Sequence, residues 1–236
     1  MAGHGRFLSA LKQRLVPQGR AVYTIKAGLV GGLRMELDLR SQSQLYLGLF
    51  ERETLPWMRC LAAGITTGVD IGADQGEHTL FLLAKTKAQR VIAIEPDRSH
   101  RPLLLHNLAL NGLLTTPRLA LLSAYVGAGS GMFALDQLLP LIDGPCLIKL
   151  DVDGAEASIL ASAQALLTRP QVRWLIETHS AKLEERCVEL LSKVGYSTLV
   201  VPNAWWRALL PELRPLEHNR WLVASRDASL LGRSGR

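Results

Sequence analysis

A chain of 236 residues that is 48% hydrophobic and 20% charged can bury a full core in one domain, which excludes a disordered or fibrous chain. No apolar run reaches the length of a membrane span, and the three cysteines, Cys60, Cys146 and Cys187, lie far apart in apolar surroundings, which speaks against a disulfide framework or a zinc site and for a reducing cytoplasm. The net charge of +6 can steer an anionic partner, but much of it sits near the ends, from Arg6, Lys12, Arg14 and Arg20 to Arg226, Arg233 and Arg236, with no interleaved basic and aromatic signature of nucleic-acid binding.

Residues 1–17 place Phe7, Leu8, Leu11 and Leu15 at helical spacing, with Lys12, Gln13 and Arg14 opposite. That pattern predicts a short basic amphipathic helix, either docked on the domain or in peripheral contact with a membrane. It lacks the long apolar stretch of a secretory leader. Residues 21–39 alternate as two strands, with turns at Ala27-Gly28 and Gly31-Gly32. Residues 41–49 read as loop and short helix, and 51–63 as a helix stopped by Gly64. Residues 1–64 are therefore expected to form an apron or lid on the same domain as a core at 65–225, followed by a basic tail at 226–236.

The core opens with Val69-Asp70-Ile71-Gly72-Ala73-Asp74-Gln75-Gly76, an apolar helix from Thr79 to about Lys85, and Val91-Ile92-Ala93-Ile94-Glu95-Pro96. This is a βαβ unit. Glycine at the strand-to-helix turn lets the backbone bend sharply and approach a ligand. A carboxylate closing the next strand is placed to accept both hydroxyls of a ribose. A dinucleotide turn needs G-x-G-x-x-G to seat a pyrophosphate. Here the spacing is Gly72-x-x-x-Gly76 with Asp70 and Asp74 beside it, which repels a pyrophosphate and suits the cationic amine and sulfonium of S-adenosylmethionine.

Beyond Pro96 a helix is expected at 99–111 with Gly112 after it, then a strand at 119–124, a glycine-rich turn at 127–131 and a short helix at 133–139. A strand at 146–151 leads into a helix ending at Leu167, and a strand at 172–177 precedes a helix at 181–194. Two last strands, 196–201 and 220–224, flank a loop with Trp205 and Trp206, which serve either the core or an apolar wall for an acceptor. The alternation predicts an α/β, Rossmann-like sheet, mostly parallel, with an antiparallel edge and helices on both faces.

Ligands of such sheets bind beyond the carboxyl ends of the strands. Those ends offer Asp70, Glu95, Ser123-Ala124, Asp151 and Glu177-Thr178-His179. The string Lys149-x-Asp151-x-Asp153-Gly154-x-Glu156 is a second cluster at the same mouth. Methyl transfer from a sulfonium is an in-line displacement that needs positioning and, for a hydroxyl acceptor, a base. Asp151 or His179 can be that base, and Lys149 can orient or neutralise an acidic acceptor. An alternative is a divalent metal on Asp151, Asp153 and Glu177, although the spacing matches no strong metal motif. The plainer readings are that Asp153 and Glu156 cap the next helix at its positive end, that Lys149 pairs with a carboxylate, that His179 is a surface or capping residue and that His78 lines the first turn of its helix.

From about residue 47 to 224 the chain resembles the FkbM-type S-adenosylmethionine-dependent methyltransferases. The resemblance rests on Gly48-Leu49-Phe50-Glu51, on the 69–76 turn with Thr79, on Ile94-Glu95-Pro96-Asp97, on Asn107-x-x-x-Asn111 and on Leu135-Asp136-Gln137-Leu138-Leu139. Its most specific part is Ile148-Lys149-Leu150-Asp151-Val152-Asp153-Gly154-Ala155-Glu156, with Leu160, Ala163 and Glu177-Thr178-His179 after it. It implies a class I methyltransferase that uses S-adenosyl-L-methionine to modify a hydroxyl of a sugar, polyketide or similar small molecule. By that similarity Asp70, Gly72, Gly76 and Glu95 are donor-binding positions and Glu51 belongs to the pocket rim. Ala73, Asp74, Thr79, Pro96, Ser123 and Ala124, beside them in the turn and at the strand ends, complete the expected donor set. Two departures stand out: position 74 is Asp where the family commonly has Asn, and the segment at 125–135 is short. Competing readings are an RNA methyltransferase and a donor-binding relative without chemistry. An NAD-dependent oxidoreductase is disfavoured by the missing third glycine.

Overall fold

Short β-branched and leucine-rich runs alternate with amphipathic helices along most of this chain, and the architecture follows from that alternation. The structure is a computed structural model and describes residues 16–204 and 219–232. The amphipathic helix expected before Val16, the pair Trp205 and Trp206, and residues 233–236 lie outside the described residues.

β1 (Arg20–Thr24) and β2 (Arg34–Asp38) form an antiparallel ribbon in register from Arg20↔Asp38 to Thr24↔Arg34. They are followed by α1 (Leu39–Leu47), a 3-10 turn (Arg52–Thr54) and α2 (Leu55–Leu61). The core then runs β3 (Thr67–Ile71), α3 (Glu77–Lys85), β4 (Arg90–Ile94), α4 (Arg101–Leu110) and β5 (Leu119–Leu122). After a 3-10 segment (Leu135–Leu141) come β6 (Cys146–Leu150), α5 (Glu156–Ser162), α6 (Gln164–Leu167), β7 (Val172–Thr178) and α7 (Ala181–Lys193). β8 (Ser197–Val201), β9 (Arg220–Ser225) and α8 (Ser229–Gly232) complete the described chain.

The seven-stranded sheet has the order β5-β4-β3-β6-β7-β9-β8. Pairings among β5, β4, β3, β6 and β7 are parallel, and β9 is antiparallel to both β7 and β8. The expected antiparallel edge is present in a more specific form, because β9 inserts beside β7 and leaves β8 outermost. The strand order reverses between β3 and β6, and the crevice beyond their carboxyl ends is where such a sheet receives ligands. Side chains alternate across the sheet and build two cores. Leu80, Leu82, Met58, Leu147 and Val223 pack on one face, and Val69, Ile148, Leu160, Trp174 and Leu191 on the other. Helices therefore cover both sides.

The β1–β2 ribbon is clamped to α4 by the Asn107–Asn111 pair, which shares one helix face at i, i+4 spacing. Fully buried Asn107 accepts from the Glu36 N–H at 2.8 Å and donates to the Gln75 carbonyl at 2.9 Å. Asn111 accepts from the Arg34 N–H at 2.9 Å and donates to the Arg34 carbonyl at 2.7 Å. Gln42 also donates to the Gln75 side chain at 2.6 Å, so the N-terminal apron touches the glycine turn of the core.

Three expectations change in detail. The helix expected at 51–63 begins as a 3-10 turn behind Glu51, whose φ is 45°, and becomes α-helical only at Leu55, with Pro56 in the first turn. The helix expected to reach Leu167 breaks at Ala163 (φ −93°, ψ 42°), where Asp136 accepts the N–H groups of Ala165 and Leu166, each at 2.9 Å, and caps α6 from outside. Residues 226–232 are not a free tail. Arg226 donates to the Leu167 carbonyl at 3.0 Å and lies 5.3 Å from the Tyr196 ring centre, and Cys60 donates to the Leu230 carbonyl. No helix of the described residues is long and apolar enough to cross a membrane.

Candidate active site

The glycine turn sits at the mouth of the crevice. Gly72 has φ 75°, and a Cβ there would lie 1.8 Å from the Asp151 carbonyl oxygen. Gly76 has φ 94°, and a Cβ there would lie 2.6 Å from Leu104 Cδ1. The nearest demand for both glycines comes from β6 and α4 of the protein itself, an internal reason that the ligand-based sequence argument did not include. The turn hangs on β4, because Gly72 and Ala73 donate to the Ile94 carbonyl at 3.0 and 3.2 Å.

Glu95 follows β4 and is nearly buried. One carboxylate oxygen accepts from the Asp74 N–H at 2.7 Å and the other from the Asp97 N–H at 2.8 Å. Each oxygen keeps a second lone pair for a ligand hydroxyl. Asp74 adopts a left-handed φ of 43° and exposes its carboxylate, which meets His100 at 3.1 Å. Ala73 is buried, Pro96 and Ala124 are half-buried, and Ser123 is exposed, with Oγ accepting from Arg101 at 2.5 Å.

Beneath the turn lies a buried charge network. Asp70 and Lys149 are cross-strand partners in the β3–β6 register. Asp70 is fully buried and accepts from Thr79 Oγ1 at 2.6 Å. Lys149 is 2% exposed, donates to the Gly72 carbonyl at 2.9 Å, and lies 3.1 Å from Asp151 Oδ2 and 3.5 Å from Asp70 Oδ1. A lysine has three donors, and three acceptors surround this one. Lys149 therefore ties strand ends and turn together, which is the plainer of its two sequence readings. Asp70 and Thr79 stand under the turn rather than at its open surface. Burial pushes the Asp70 carboxyl above its ordinary range, with Lys149 and Thr79 opposing. Burial works to neutralise Lys149 as well, but Asp151, Asp70 and Glu51 outweigh it and hold the ammonium charged.

Asp151, Glu177 and His179 converge at the outer end of this network, their ligand atoms all within 4.8 Å of one another. His179 Nδ1 bonds Glu156 Oε1 at 2.7 Å. Its Nε2 lies 3.5 Å from Asp153, 3.8 Å from Glu177 and 3.9 Å from Asp151. Glu156 is fully buried and also accepts from the Gly154 N–H at 2.9 Å. The start of α5 has no side-chain cap, so neither Asp153 nor Glu156 is the helix cap that the sequence allowed, and Glu156 turns inward to hold His179. The hydrogen bond to Glu156 raises the His179 pKa above its ordinary value against the opposing effect of burial. Burial raises both Asp151 and Glu177, but Lys149 draws Asp151 down below the usual carboxylate range while the Asp151 charge drives Glu177 further up. Both candidate bases stand at the mouth, the half-buried carboxylate of Asp151 beside Lys149 and the His179 imidazole against Glu156.

On the apron side, Glu51 Oε2 lies 3.7 Å from His78 Nε2. His78 is buried beside Trp221, and burial together with Lys149 lowers its pKa to about 3, so it is neutral. Burial raises Glu77 to about 8, with Lys149 opposing. Glu77 and the inward role of Glu156 escaped sequence reasoning. Their one signal is an acid at the first position of a helix whose remaining buried residues are mostly apolar.

No protein-family model matches the chain, and no curated protein matches it. Solved structures do. The methyltransferase FkbM from Methylobacillus flagellatus KT superposes with a TM-score of 0.52 at 20% identity, over 68% of this chain and 43% of that one. A precorrin-6y C5,15-methyltransferase from Geobacter metallireducens GS-15 has a TM-score of 0.49 at 15% identity, covering 74% of this chain and 86% of its own. An O-methyltransferase from Bacillus cereus in complex with SAH has a TM-score of 0.47 at 16% identity, covering 73% and 78%. The chain thus spans less than half the length of the FkbM structure it matches. Strand order, the reversed β9 and this superposition agree that the chain has the Rossmann-like fold of class I methyltransferases.

Proposed function

We propose that this protein is an S-adenosylmethionine-dependent methyltransferase whose acceptor is a hydroxyl on a small molecule or glycan. The observation that carries the reading is Glu95, pinned by two backbone N–H groups at the strand-order switch beside a left-handed turn that bears Asp74. The donor fits this rim chemically. Glu95 has lone pairs for ribose hydroxyls, and the carboxylates of Asp74 and Asp151 favour a cationic ligand and disfavour a pyrophosphate. Pro96, Ser123 and Ala124 border the nucleoside, and the Gly72–Gly76 turn lies on the amino-acid side. When bound, the donor supplies an electrophilic methyl group on a sulfonium.

The remaining work falls to the chain. Asp151, ionised at the mouth, accepts the proton of the acceptor hydroxyl. Lys149 fixes Asp151 in place and Asp70 anchors Lys149, so these two act as positioning residues. Exposed Tyr125 and Met132, on the short segment after β5, offer an apolar border for an acceptor.

Calorimetric titration with S-adenosylhomocysteine tests the donor site, with NAD as control. The product should bind wild type, bind Glu95→Ala at least about tenfold more weakly, and leave NAD without effect; a tenfold loss is about 1.4 kcal/mol. Equal binding by both proteins, or preference for NAD, overturns the reading.

A further inference from the structure

We propose that Asp151, Glu177 and His179 form a site for one divalent transition cation of the Mn2+ kind, with Glu156 as the positioning residue for His179. The cluster mixes two carboxylates from the ends of β6 and β7 with an imidazole, and their ligand atoms lie within 4.8 Å of one another. It is more than a group of acids. A histidine that binds a metal through one nitrogen usually gives the other to a carboxylate, which fixes the ring and the tautomer. Here the Nδ1 of His179 is held by buried Glu156 at 2.7 Å, and Nε2 faces Glu177 at 3.8 Å and Asp151 at 3.9 Å. Those separations are of the order of the distances between ligands that share one ion at about 2.1–2.3 Å. Exposed Asp153 lies 3.5 Å from the same nitrogen and can add a ligand at the open side.

Charge balance points the same way. Asp70, Asp151, Glu156 and Glu177 are buried or half-buried around one buried ammonium, Lys149, which already serves Asp70 and Asp151. Buried carboxylates are paired or bound to metal. Glu177 is 5% exposed, lies beyond the Lys149 contacts and shares a side-chain hydrogen bond with Asp151, so a proton or a cation must stand between these two carboxylates. Carboxylates select Mg2+ or Mn2+ and an imidazole selects later metals, so a mixed set of this kind favours Mn2+ over Mg2+ or Ca2+. The occupant's role rests on the methyltransferase reading: a cation here, with positions open to the crevice, would polarise the acceptor oxygen next to Asp151. Occupancy itself does not depend on that reading.

The full chain is stripped with chelator and titrated with Mn2+, following loss of the free-ion six-line electron paramagnetic resonance signal. Wild type should bind one Mn2+ per chain. His179→Ala and Glu177→Gln should bind at least about tenfold more weakly, and Glu156→Gln about 10- to 100-fold more weakly, the range for loss of an outer-shell partner. Glu189→Gln, on the exposed face of α7, should bind as wild type does, and circular dichroism confirms that each variant is folded. Should Glu156→Gln fail to fold, His179→Gln replaces it and should also bind at least tenfold more weakly. Absence of Mn2+ binding to wild type, or equal binding by folded wild type and His179 variants, overturns the proposal. S-adenosylhomocysteine titrated in chelator separates the two readings: a protein that binds Mn2+ but not S-adenosylhomocysteine keeps the metal site and loses the donor assignment, whereas one that binds S-adenosylhomocysteine but fails to bind added Mn2+ loses the metal site alone.

Discussion

Replacing Lys149 by Met should be among the most destabilising single changes in the described chain. Methionine has similar length and no charge, so the change removes one ammonium with little change in volume. It strands Asp70, which is fully buried and keeps the hydrogen bond from the Thr79 hydroxyl, and it frees the Gly72 carbonyl. Breaking a buried ion pair from one side costs about 3–5 kcal/mol, because the remaining charge stays desolvated. In a domain of this size that corresponds to a fall in Tm of roughly 6–20 °C. Asp70 loses the charge that now offsets the effect of burial on it, so the loss should be largest at neutral pH and shrink as acid protonates the carboxyl. Adding Asp70→Asn should return part of the stability, with a coupling energy above about 1 kcal/mol in the double-mutant cycle. Chemical denaturation of the four proteins measures this. A Lys149→Met loss below about 1 kcal/mol, or a cycle that closes without coupling, would refute the idea that one lysine holds the strand ends and the turn together.

Gly72→Ala combines a left-handed φ of 75° with a Cβ placed 1.8 Å from the Asp151 carbonyl, and should cost more than the roughly 1–2 kcal/mol of left-handed strain alone; a melt within 2 °C of wild type would contradict this. Asn107→Ala leaves the Glu36 N–H and Gln75 carbonyl without their side-chain partner and should cost about 1–3 kcal/mol, with faster amide exchange at Glu36 as the local readout. Glu77→Gln should gain on wild type as pH rises. The Glu77 pKa is raised from 4.5 to about 8, so its contribution is full below 4.5 and lost through about 8; the stability gap should widen over that window by on the order of a few kcal/mol, and a gap independent of pH would count against burial as the cause.

The βαβ unit was legible because two apolar strands, a glycine turn and a strand-end acid are local features, and β3, α3 and β4 lie within a few residues of where periodicity puts them. Helix breaks were less legible. The stop at Ala163 depends on Asp136, 29 residues away in sequence from the amide it caps, and no window of local pattern contains both. At the site, Asp70, Lys149 and Asp151 could be named as strand-end residues from alternation alone. Their division into a buried tie and a half-buried carboxylate at the mouth could not, since it depends on which carboxylate lies beneath the turn. Glu156 shows the same limit. At the start of a helix it reads as a cap, and only packing of α5 against the loop after β7 turns it toward His179. The glycines were legible as glycines, but their closest neighbours belong to β6 and α4, contacts that form only in the tertiary structure.

The most direct test of the donor assignment is a crystal structure of the protein with S-adenosylhomocysteine. The account predicts the ribose hydroxyls on Glu95 and the amino-acid end along the Gly72–Gly76 turn, with Asp151 facing the sulfur across the mouth. A ligand bound away from the ends of β3, β4 and β6, or a ribose without contact to Glu95, would contradict it.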